Sequence, residues 1–148
     1  MQLMRRQMLR FLQKRKFRLV TRWKFALKEN IGSPLPAQSP FPYMLIFRAF
    51  DEVVRMLKFD LNDPHVAAHD SFLCDVNADT TLSADQYMEL FLTGRDILGD
   101  FIEGDTSFCA LYSAEDRETL RAALEGVFKL LIDREMREHA RRFSSGVR

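Results

Sequence analysis

A chain of 148 residues, 47% hydrophobic and 29% charged, can bury one core and has too much apolar side chain for disorder, so a single folded domain spanning 1–148 is expected and a second is not. No run approaches the ~20 apolar residues of a membrane-spanning helix, and the charged start lacks the short apolar core and cleavage site of a secretory leader, which predicts a cytoplasmic protein. The net charge of +1 conceals an asymmetry: every charge before Glu29 is positive, whereas the remaining residues hold 12 of the 22 basic side chains and all 21 acidic ones, a formal charge of −9.

Residues 1–30 carry Met4, Met8, Leu12, Leu19, Trp23 and Leu27 near helical spacing, with Arg5, Arg6, Arg10, Lys14, Arg15, Lys16, Arg18, Arg22, Lys24 and Lys28 on the other faces. This predicts one long, basic, amphipathic helix ending at Ile31 and Gly32. Its charge is compatible with a brace against the acidic body, a nucleic-acid footprint or a membrane-surface segment; the brace is preferred. Residues 32–42 contain four of the five prolines and read as a stiff extended connector, since proline fixes its own φ and disfavours helix in the residue before it.

The helical core is expected over 43–143, with a flexible tail at 144–148. Tyr43, Ile46, Phe47, Phe50, Val53, Val54 and Leu57 mark a buried helix face ending near Phe59. Asp63 and Pro64 supply an N-cap and first-position signal for a short helix reaching about Cys74. Ser83 and Gln86 have capping-box spacing ahead of Tyr87, Leu90, Phe91, Gly94, Leu98 and Phe101. Ser113 and Asp116 repeat that logic before Leu120, Leu124, Val127, Phe128 and Leu131, in a helix predicted to run to about Arg142. The fold class is therefore all-α: a single-domain bundle of four long helices and one short one around a Phe-rich core, with globin-like crossings as one way to pack it.

Chemistry-bearing motifs are weak. His65 and His69, four apart, could share a zinc ion with Asp70 or Cys74, but no second cluster supports them, and surface or capping roles are preferred. Nothing singles out His65, His69 or His139 as a haem ligand. The stretch from Asp75 to Leu82 imitates a calcium loop, yet Thr80 stands where glycine is needed and Gln86 where the bidentate glutamate belongs, so it reads as a polar loop leading to Ser83. Cys74 and Cys109 read as reduced structural thiols. No nucleophile elbow or phosphate-binding glycine loop is present, and the glycines inside helices read as points of close helix approach. No catalytic, cofactor-binding or metal-ligating residue is assigned, and no cofactor is expected.

Arg22 and Trp23, the connector with Ser39, Pro40, Phe41 and Pro42, and above all Leu82, Ser83, Ala84, Asp85 and Gln86 followed by Phe91 to Leu98, together form a pattern. With Arg134 and Glu135 on the last helix, it resembles the N-terminal regulatory domain of RsbRD-type stressosome proteins and related histidine kinases, over about Phe17 to Phe143. Ala84 and Asp85 replace the Pro-Ser often found in that helix opening, and Gly94 stands where an apolar residue is usual. The resemblance implies a helical sensory or protein-interaction domain acting with a kinase or stress regulator, and a homodimer is compatible with it. The expected function is non-enzymatic signalling by protein interaction in a stress response. The alternatives are a nucleic-acid-binding accessory protein using Arg5, Arg6, Arg10, Lys14, Arg15 and Lys16, or a small helical adaptor or chaperone.

Overall fold

The computed structural model describes residues 2–30, 41–58 and 83–146. They form six helices and, among the described residues, no strand: α1 (Gln2–Lys14), α2 (Lys16–Asn30), α3 (Phe41–Leu57), α4 (Ala84–Gly104), α5 (Thr106–Leu111) and α6 (Ala114–Gly146). The short helix predicted between Asp63 and Cys74, the connector up to Pro40 and the calcium-like loop lie outside the described residues, as does the side chain of Tyr43.

The basic segment expected as one helix is two. Arg15 lies in a tight turn: its N–H donates to the Leu12 carbonyl three residues back at 3.0 Å, and its own carbonyl accepts from Leu19 four residues on at 2.9 Å. Neither glycine nor proline marks this break, so nothing in the apolar spacing announces it. The chain path from Phe11 to Trp23 runs opposite to α4, Phe11 meeting Phe101 near the end of α4 and Trp23 meeting Leu90 near its start.

α3 begins at Phe41, with Pro42 in its first turn, where a missing N–H costs no helical bond. α4 starts with the predicted capping box: Ser83 Oγ accepts from the Gln86 N–H at 3.2 Å, and Gln86 Oε1 accepts from the Ser83 N–H at 2.9 Å. Asp105 then ends α4 and opens α5, its N–H donating to the Phe101 carbonyl and its carboxylate accepting from the Phe108 N–H. This short helix was not expected, although Gly104 followed by Asp105 is a stop signal beside a start signal. α6 is capped by Ser113, whose Oγ accepts from Asp116 at 3.1 Å, and continues four residues past the expected end.

One core joins all six helices, and every apolar residue expected on α4 and α6 is in it. At one end Phe11, Phe101, Phe108 and Tyr112 form an aromatic cluster with ring centroids 4.9 to 6.4 Å apart. Further along, the fully buried Trp23 lies on Gly94 and donates its indole N–H to the Leu90 carbonyl at 2.8 Å. α4 and α6 run antiparallel, tied by Tyr87 against His139 at one end and by Glu103 against Arg121 at the other. No helix among the described residues is long and apolar enough to cross a membrane.

Candidate functional site

Charged side chains enter the interior where α3 packs against α6. Glu52 is 9% exposed, Arg134 8% and Glu135 fully buried. Arg55, one turn beyond Glu52 on α3, donates from Nε to Glu52 Oε1 at 2.6 Å. Arg134 donates from Nε to Glu135 Oε2 at 2.8 Å, and its Nη2 lies 3.6 Å from Glu52 Oε2, an ion pair too long for a hydrogen bond. Arg134 Nη1 and Nη2 find no hydrogen-bond acceptor among the described residues.

Two guanidinium groups and two carboxylates balance in charge. Such a group is costly to desolvate and is weak evidence for stability, but its attraction depends on helix placement in a way that apolar contact does not. The Glu52–Arg134 ion pair links α3 to α6. Arg134 and Glu135 are one of the lesser features of the sequence resemblance; Glu52 and Arg55 were not singled out, since in sequence they look like the solvated edge of a buried face.

The cluster sits where α6 leaves the core. Leu120, Leu124, Val127, Phe128 and Leu131 are buried, and Glu135 is the last buried side chain among the described residues; between Met136 and Arg141 every side chain is at least partly exposed. His139 is half-buried, its ring 5.3 Å from Tyr87 and edge-on to it, which is a packing contact. His65, His69, Asp70 and Cys74 fall outside the described residues. Among the described residues no three His, Cys, Asp or Glu side chains converge as a metal ion requires. Cys109 is a free, half-buried thiol that donates to the Glu103 carbonyl at 3.4 Å.

The basic segment has two sides. Its apolar side is part of the core through Met8, Leu9, Leu12, Leu19, Val20, Trp23 and Leu27. On the other side Arg6, Arg10, Lys14, Arg18 and Arg22 are all exposed and, among the described residues, form no ion pair. Lys16 reaches Asp51 on α3 at 2.6 Å, and Arg15 folds back over the Phe11 ring. Arg5 is half-exposed. The segment does brace the fold, but through apolar burial, with most of its charge facing water. Like charges four apart on a helix cost about 0.2–0.5 kcal/mol per pair, so this ladder opposes helix formation.

A shallow polar groove between α4 and α6 is lined by Asp96, Asp100, Glu103, Arg121 and Glu125. Arg121 contacts Glu103 at 2.7 Å, Glu118 at 3.2 Å and Glu125 at 3.3 Å. The hydrogen bond with Glu118, then the charges of Glu103 and Glu118, raise its pKa above the ordinary arginine value.

Comparison with known proteins gives no match to a family model, a curated protein or a solved structure.

Proposed function

We propose that the chain is a non-catalytic regulatory domain of the RsbRD type, whose output is a change in the placement of α6 read by a protein partner such as a signalling kinase or stress regulator. The observation that carries this reading is the buried Glu52–Arg134–Glu135 cluster at the point where α6 leaves the core. α6 has 33 residues, about 50 Å at 1.5 Å per residue, and from Met136 to Arg141 its side chains are at least partly exposed. A small rotation at α3 changes the pairing of Arg134, and a stiff helix carries that change outward. Packing of α3 on α6 at a globin-like crossing is part of this reading.

The test is affinity capture by the full chain from the cytoplasm of its source at moderate salt, beside an Arg137→Glu/Ala140→Asp variant altered at two exposed positions of α6. Recovery of one defined signalling protein by the wild type, lost in the variant, supports the proposal. Equal recovery by both, or recovery of none, removes its basis.

A further inference from the structure

The cations of α1 and α2 form an ordered surface. Arg6, Arg10 and Lys14 on α1, then Arg18 and Arg22 on α2, follow one another at intervals of four residues, about 6 Å of helix axis per step. A four-residue step turns a helical side chain by only about 40°, so Arg6, Arg10 and Lys14 share a face of α1, and Arg18 and Arg22 a face of α2. Phe25 belongs to the same face, since Arg18, Arg22 and Phe25 stand at i, i+4 and i+7. Its ring is 59% exposed, and Lys28 approaches it at 6.0 Å from the ring centroid.

Five exposed cations that form no ion pair among the described residues, accompanied by the exposed rings of Phe17 and Phe25 and by the exposed Glu29 late in α2, present charge rather than the large apolar centre of a protein interface. A membrane surface fits less well. An amphipathic helix binds lipid through its apolar face, and here that face, from Met8 to Leu27, is sealed in the core. A polyanion with flat, accessible bases satisfies both features at once, the cations taking phosphates and the ring taking a base. A duplex offers phosphates but keeps its base faces stacked.

We propose that the exposed basic faces of α1 and α2 bind single-stranded nucleic acid, with Arg6, Arg10, Lys14, Arg18 and Arg22 taking phosphates and Phe25 stacking a base. None of these residues is altered in the α6 variant that tests the regulatory reading, so the two proposals are tested independently. Sequence preference is not expected, because phosphate contacts and stacking are both tolerant of base identity.

The experiment is fluorescence anisotropy of a labelled single-stranded DNA of mixed sequence, about 20 nucleotides long, titrated with the full chain. Five phosphate contacts predict a loss of affinity of about 100-fold between roughly 50 and 200 mM salt. Arg10→Glu/Lys14→Glu/Arg18→Glu should abolish binding, and Phe25→Ala should weaken it by about 5-fold or more with the salt slope unchanged. Unlabelled duplex of equal length should compete less well than the single strand.

The proposal is overturned by no binding at low salt up to about 100 μM protein, beyond the weak non-specific range. It is equally overturned by equal competition from duplex, or by wild-type affinity in the Phe25→Ala protein. Two further results would reassign the surface: binding to phosphatidylserine vesicles but not to the oligonucleotide, or self-association abolished by the triple substitution, with the acidic groove of a second copy as the occupant.

Discussion

The indole of Trp23 occupies the space that a Cβ on residue 94 would need: an ideal Cβ there would overlap Cζ2 and Cη2 of the ring. Gly94 is thus the point at which α2 and α4 come close enough for the indole N–H to reach the Leu90 carbonyl. Gly94→Ala should destabilise the domain by about 2 kcal/mol, an overpacking cost of about 3 offset by about 1 of helix propensity. Gly99→Ala, at a position with nothing within 4 Å, should stabilise it by about 0.5–1 kcal/mol. Urea denaturation of both variants checks the pair, and equal effects would contradict the assigned contact.

Deleting residues 1–16 removes Met8, Leu9 and Leu12 from the core and Phe11 from its aromatic cluster. At about 1.5–3 kcal/mol for each fully buried side chain, the loss approaches the whole stability of an ordinary domain. The truncated chain is expected to lose its cooperative thermal transition. Arg6→Gln/Arg10→Gln, which touches only the exposed charges, should leave the transition within about 0.5 kcal/mol of wild type. A charge-based brace would instead be clearly destabilised by the second variant as well.

Arg134→Met removes a guanidinium that donates to the buried Glu135 and pairs with Glu52, with an expected cost of about 3–5 kcal/mol. Arg134→Met/Glu135→Leu removes both charges and should recover much of that loss. Chemical denaturation of the two variants measures the difference. If the double variant is no more stable than the single one, the Arg134–Glu135 pairing is not what holds the cluster together.

Ser83→Ala breaks one half of the capping box on α4 and should cost about 1 kcal/mol, seen as a lowered urea midpoint with an unchanged m-value.

Much of this architecture is legible in the sequence because apolar spacing and caps are local signals. Leu120 to Leu131 and the Ser83–Gln86 box could be placed without knowing what they touch. The break at Arg15 could not, because the apolar faces on either side stay nearly in phase, and only the backbone departs from the helix. Gly94 shows both sides of the matter: a glycine inside a helix signals close approach, but only the fold says that the neighbour is Trp23, and Gly99 looks the same in sequence with nothing near it. For the candidate site, Arg134 and Glu135 were visible as a motif, whereas Glu52 joins them only through the packing of α3 on α6. The exposed cations were legible as charge; that they form no ion pair among the described residues is a fact of three dimensions.

That ladder has a thermodynamic consequence for the domain itself. Self-repulsion among Arg6, Arg10, Lys14, Arg18 and Arg22 is present in the folded helices and relaxed in the unfolded chain, so counterions that screen it favour folding. The melting temperature should therefore rise as salt is added from low ionic strength, the reverse of a fold held by surface ion pairs. Any anion that prefers the folded ladder adds to this by mass action. The heat stability of the domain is, in effect, a gauge of the anions around it.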